Sequence, residues 1–105
     1  VFGAKAGLSI QKLATALGGG LANSSVLQVK FDKILSRQFT PGGRVEVHLK
    51  DLGYIADSLR NFDIELPVLG LVHELFRELV DDGFGDEDHV AIIRAAEKAA
   101  GIRVT

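Results

Sequence analysis

The stretch Phe39-Thr40-Pro41-Gly42-Gly43-Arg44-Val45-Glu46-Val47-His48-Leu49-Lys50-Asp51-Leu52 decides the fold. Pro41-Gly42-Gly43 is a corner: proline fixes its own φ, and the glycines admit a tight change of direction. Val45 to Leu49 alternate apolar and polar, as a half-buried strand does. The longer register reads differently. Val45, Leu49, Leu52, Ala56 and Leu59 step by four, three, four and three, which traces one face of a helix. That register absorbs the short alternation, so a helix is predicted from about Arg44 to Asn61.

The same punctuation extends in both directions. Val1 to Ala6 reads as the last turns of a helix, with Lys5 near its negative end and Gly7 as the stop. Ser9 is a good N-cap, followed by Ile10, Leu13, Ala14 and Leu17 at helical spacing. Gly18-Gly19-Gly20 ends that helix. The next begins near Ser24 or Ser25, carries Leu27, Phe31 and Ile34, and fades by Phe39. Pro67 suits a first helical position, and Val68, Leu69, Leu71, Val72, Leu75, Phe76, Leu79 and Val80 cover so wide an arc that this helix is expected to be the most buried. Gly83 is its predicted stop. Asp86 is the predicted cap of a final helix, with Glu87 and Asp88 in its first turn and Lys98 near its end; Gly101 closes it and Ile102 to Thr105 form a short tail. The fold class is therefore all-α, helix packed on helix without a parallel sheet.

The chain has 105 residues, which fits a single domain with a small core. At 47% hydrophobic and 25% charged it has the composition of a globular protein. Its formal charge of −2 argues against general electrostatic binding to nucleic acid or to an anionic membrane. It has no cysteine, which excludes disulfides, thiolate metal sites and cysteine nucleophiles. Nothing resembles a membrane span or a signal peptide, and the expected compartment is the cytoplasm. With Val1 in place of a starting methionine, the chain is expected to lie inside a longer parent or to follow a processing site.

Few residues carry obvious chemistry. Lys50 is the leading candidate, a long, flexible cation. Spacing alone favours the plainer reading, an exposed ion pair with Glu46, one turn earlier, worth roughly 0.3–0.5 kcal/mol. Asp51 lies about 100° further round and is read as a supporting carboxylate bonded to a neighbouring helix or to His48. His48, His73 and His89 fall on different predicted helices, and surface or packing roles suit them better than zinc. Gly18-Gly19-Gly20 lacks the spacing and the preceding strand of a phosphate loop. Ser24 and Ser25 are caps, or hydroxyls lining a pocket. Lys30, Lys33 and Arg37 share a helix face, read as solvated. The acidic run from Asp81 to Asp88 does not place its oxygens as a calcium loop does.

Taken together, these segments resemble the β-hydroxyacid dehydrogenases. The 39–52 stretch is similar to that family's F-x-P-G-F…K-D-L segment. Residues 18–27 are similar to its G-G-x-A-x-S-x-x-L turn, Leu66-Pro67-Val68 to its L-P-L/V helix entry, and residues 82–89 to its G-x-G-x-x-D link. The tail from Glu97 to Thr105 is most similar to the tartronate semialdehyde reductase (2-hydroxy-3-oxopropionate reductase) branch.

The resemblance implies the C-terminal helical domain of the phosphogluconate/3-hydroxyisobutyrate dehydrogenase superfamily. The cofactor, NAD or NADP, would be bound by an N-terminal Rossmann domain absent from this chain. The family's catalytic lysine lies upstream of Val1, so no catalytic residue is assigned here, neither Lys5 nor Lys12. Lys50, at the K of K-D-L, is the implied cofactor-binding residue; Phe39, Gly43, Ser24, Ser25 and Asp51 are implied cleft-lining or supporting positions. Gly43 stands where the family carries an aromatic that lines the cleft, so the pocket is altered at that point. The intact parent would oxidise or reduce a small hydroxy- or oxo-acid, form a homo-oligomer, and bind neither nucleic acid nor membrane, while this chain alone would be inactive. A helical dimerisation or binding module without catalysis is the alternative.

Overall fold

The predicted 44–61 helix is present in the computed structural model, which describes residues 1–105, and no strand accompanies it. Six α-helices run in the order α1 (Phe2–Lys5), α2 (Ile10–Gly18), α3 (Ser25–Ser36), α4 (Val45–Arg60), α5 (Pro67–Leu79) and α6 (Ile93–Ala100), so the fold is all-α. The strand-like pattern at Val45 leaves one trace, an isolated antiparallel bridge between Arg44 and Asp88. The chain forms two compact units, Val1–Phe39 with Ile93–Thr105, and Thr40–Ile92. No helix is long and apolar enough to cross a membrane.

In the first unit, α1 approaches α2 so closely that a Cβ at Gly3 would stand 2.6 Å from Leu13 Cδ2. The Ser9 hydroxyl accepts from the Lys12 amide at the start of α2, and the Ser24 hydroxyl accepts from the Leu27 amide at the start of α3, 3.0 Å away. Lys5 reaches the negative end of α6, where its Nζ donates to the Ala100 carbonyl at 2.9 Å.

Arg37 departs from the solvated stripe read in the sequence. It ends α3 in the left-handed region (φ 57), at a cost of about 1–2 kcal/mol for a residue with a Cβ. Its guanidinium lies against the Glu97 carboxylate, with Nη1–Oε1 at 2.5 Å and Nη2–Oε2 at 3.1 Å. Glu97 Oε1 also accepts from the Val104 amide at 2.7 Å, so the C-terminal residues are anchored rather than trailing, and Val104 is buried.

In the second unit, α4 and α5 pack face to face. Val45, Phe76 and Leu79 are buried, each stabilising the unit by about 1.5–3 kcal/mol. α5 is less covered than its wide apolar arc suggested: Val68 and Leu71, near its start, are exposed. The sequence also placed two boundaries differently. α5 ends at Leu79 and passes into a π-helical turn, Val80–Phe84, in which Gly83 takes φ +91. Asp86 caps no helix; it is exposed and pairs with Arg44 at 3.2 Å. A 3-10 turn, His89–Ile92, intervenes before α6 begins at Ile93, so Glu87 and Asp88 lie outside α6.

Candidate functional site

The Pro41-Gly42-Gly43 corner is held by main chain forty residues away. Arg44 occupies the N-cap of α4 but gives it no side-chain cap. The orphan amides of the first turn are satisfied instead by carbonyls: Val45 N–H donates to Glu87 O at 2.9 Å and Glu46 N–H to Gly85 O at 3.0 Å. In the other direction His89 N–H donates to Gly43 O at 2.8 Å. Asp88 completes the lock. It is wholly buried, and its carboxylate accepts from the Gly42 amide at 2.8 Å and from the Val90 amide at 3.1 Å. The family-like sequence of this link was legible, but which of Asp86, Glu87 and Asp88 would be buried was not.

This corner fixes the start of the helix that carries Lys50. The side chain of Lys50 is half-exposed, with Nζ 3.2 Å from Asp51 Oδ1 and 5.7 Å from the centre of the Tyr54 ring. The pairing with Glu46 allowed by spacing is not formed, because Glu46 takes Arg44 at 2.8 Å. Asp51 is also exposed and partners Lys50, not a neighbouring helix or His48. An exposed pair of this kind is worth 0 to about 1 kcal/mol, so the ammonium is free to exchange its partner for a ligand.

Gly43 opens onto two imidazoles. The His48 and His89 rings stack with centroids 4.2 Å apart and planes 15° apart, and His48 stacks in turn on Phe76 at 5.9 Å. The His48 Nδ1 lies 3.2 Å from the Arg44 carbonyl. A Cβ on Gly43 would stand 3.4 Å from His48 Cε1 and 3.6 Å from His89 Cδ2. Pairing of His48 with His89 carries no sequence signal, since they lie on elements 41 positions apart. His73 packs elsewhere, with Nε2 3.8 Å from where a Cβ on Gly53 would lie. No group of three or more metal-ligating side chains is present.

The remaining candidates lie in the first unit. The hydroxyl of Ser24 is engaged as the α3 cap, and Ser25 is the exposed first residue of that helix. Phe39 is buried beneath two guanidiniums, Arg94 at 4.6 Å and Arg37 at 5.3 Å from its ring centre. Burial pushes the Glu97 carboxyl up. The hydrogen bonds from Arg37 and Val104 and the charges of Arg37 and Arg94 outweigh that and hold it below the usual glutamate range.

Residues 1–96 match the family model described as NAD-binding of NADP-dependent 3-hydroxyisobutyrate dehydrogenase. The 2-hydroxy-3-oxopropionate reductase of Escherichia coli (strain K12) is 33% identical over 100 residues, covering 95% of this chain and 34% of the relative. The probable 3-hydroxyisobutyrate dehydrogenase-like 1, mitochondrial, of Arabidopsis thaliana is 33% identical over 104 residues, covering 99% and 31%. The chain thus spans about a third of the length of these curated relatives. A solved structure, described as 3-hydroxyisobutyrate dehydrogenase from Salmonella typhimurium, matches with a TM-score of 0.83 at 24% identity over 90% of this chain and 33% of its own, and shows the fold. With nearly its whole length matched, the chain belongs to the family of NAD-binding domains of NADP-dependent 3-hydroxyisobutyrate dehydrogenases.

Proposed function

We propose that this chain serves as the C-terminal helical domain of an NAD(P)-dependent β-hydroxyacid dehydrogenase of the tartronate semialdehyde reductase type. The observation that carries this reading is Lys50: a half-exposed ammonium in a weak surface pair, on a helix whose start is clamped by the Asp88 lock. A half-exposed cation in a weak pair suits a ligand better than it suits fold stability. The 33% identity to a 2-hydroxy-3-oxopropionate reductase supports the family, and a 3-hydroxyisobutyrate dehydrogenase-like relative is equally similar.

In the parent, the nicotinamide would accept or return the hydride of a small hydroxy- or oxo-acid. Lys50 would bind and orient the cofactor by donating from Nζ to its amide or ribose oxygens, with Asp51 limiting the directions that the ammonium can take. The proton of the substrate hydroxyl would go to a base outside this chain. The helical domain would close the cleft, exclude water from it and contribute to a homo-oligomer, and by itself it would be inactive.

The test is Lys50→Ala in the full-length protein, beside Glu46→Ala. A charged hydrogen bond of about 1.5–3 kcal/mol corresponds to roughly ten- to a hundredfold in cofactor affinity or turnover. Unchanged kinetics in Lys50→Ala would remove the cofactor role. A second reading, a non-catalytic helical association module, is favoured by one observation: apolar side chains gathered in water around the α4–α5 connection.

A further inference from the structure

We propose that Tyr54 is a second cofactor-binding residue, one turn beyond Lys50, and that its ring takes the oxidised, cationic nicotinamide in preference to the reduced, neutral one. The inference rests on the reading of Lys50 as a cofactor ligand and adds to it a residue that senses the charge of the cofactor.

Lys50 and Tyr54 are four positions apart on α4, so their side chains are neighbours on one stripe of that helix. The stripe faces water: Lys50 and Asp51 are exposed, and Tyr54 is 63% exposed. The Lys50 ammonium holds Asp51 Oδ1 at 3.2 Å and stands 5.7 Å from the centre of the Tyr54 ring, within the ~6 Å reach of a cation–π contact. The ring is therefore already a seat for a cation. Ser58 bonds Tyr54 through the main chain, its Oγ donating to the Tyr54 carbonyl at 2.8 Å, and so leaves the ring uncovered.

The face of an aromatic ring carries negative charge and attracts cations. A lysine that turns its Nζ to an amide or ribose oxygen of the cofactor leaves the ring face, and a flat cation can replace it there. Nicotinamide is such a cation in one redox state only: its ring is positively charged when oxidised and neutral when reduced. The Lys50 ammonium would repel that charge, but the Asp51 carboxylate 3.2 Å away offsets the repulsion, so the pair as a whole is neutral. The adenine of the same cofactor has the same charge in both redox states. Stacked on Tyr54, it would gain affinity without telling the two forms apart.

Calorimetric titration of the full-length protein with the oxidised and the reduced cofactor tests this, using Tyr54→Leu, Tyr54→Phe and Lys50→Ala. Tyr54→Leu is expected to weaken the oxidised form roughly two- to fivefold more than the reduced form, the worth of an exposed cation–π contact. Tyr54→Phe keeps the aromatic face and leaves the ratio of the two affinities close to that of the native protein. Helix content and the urea midpoint stay unchanged in both, since the side chain stands in water. Equal weakening of both forms by Tyr54→Leu would assign the ring to adenine and overturn the proposal. Unaltered affinities in Tyr54→Leu, beside a weakened Lys50→Ala, would overturn it while leaving Lys50 its role. Unaltered affinities in Tyr54→Leu and Lys50→Ala alike would remove both residues from the cofactor site.

Discussion

Arg37 and Glu97, sixty positions apart, meet through two parallel hydrogen bonds, and the same carboxylate holds the Val104 amide. Three separate pieces of chain therefore depend on one carboxylate: the end of α3, the last α-helix and the C-terminal residues. Both side chains are largely buried, at 14% and 8% exposed, so each charge relies on the other in place of water.

Glu97→Ala is expected to cost about 3–5 kcal/mol, because it strands a buried guanidinium. Glu97→Gln keeps an acceptor for Val104 and costs less. The pH dependence has a definite sign. The folded-state pKa of Glu97 lies below its ordinary value of 4.5, so its stabilisation is complete above that value and is lost as pH falls through the folded pKa. Urea midpoints of the native chain and of Glu97→Gln should differ at neutral pH and converge on acidification. A constant difference would show that the carboxylate charge contributes nothing.

Asp88 is the carboxylate on which the corner of the second unit depends. Asp88→Ala leaves the Gly42 and Val90 amides without their acceptor, and the two charged hydrogen bonds are worth about 1.5–3 kcal/mol each. Hydrogen exchange should show lost protection first at Val45 and Glu46, whose acceptors lie in the same link. Uniform loss of protection across α4 and α5 would mean that Asp88 supports the whole unit and not the corner.

Gly43 should tolerate a methyl. It does not take a positive φ, and its nearest imidazole atoms are at 3.4 and 3.6 Å, so Gly43→Ala should change stability by less than about 1 kcal/mol. Gly101→Ala, at φ 62, should cost about 1 kcal/mol although nothing crowds it. Gly43→Phe must move the imidazoles or turn outward, and the ring-current shifts of His48 and His89 in an NMR spectrum distinguish the two.

What could be read from the residues was what is local. Ser9 and Ser24 cap where a serine before an apolar register should, and the four-three stepping from Val45 to Leu59 outweighed five residues of strand-like alternation. Several of the misreadings involve a partner distant in sequence. Arg37 looked like part of a basic stripe because its acid is on α6. Asp86 looked like a cap because its neighbour Asp88 is the buried one, a choice made by the Gly42 amide. Val68 and Leu71 looked buried because periodicity reports that a face is apolar, not that anything covers it. At the candidate site, Lys50 was singled out through its motif, while the His48–His89 stack required the fold.

The carbonyls that cap α4 have a consequence for how the chain reaches its native state. With no capping side chain of its own, α4 lacks a local start signal, and its first turn closes only when Gly85 and Glu87 arrive. Closing a loop of that length, about 40 residues, carries an entropy cost that short-range contacts do not. The Lys50 end of α4 should therefore become ordered late in folding, after the helix has grown from its far end, and should be the first part of it to come undone.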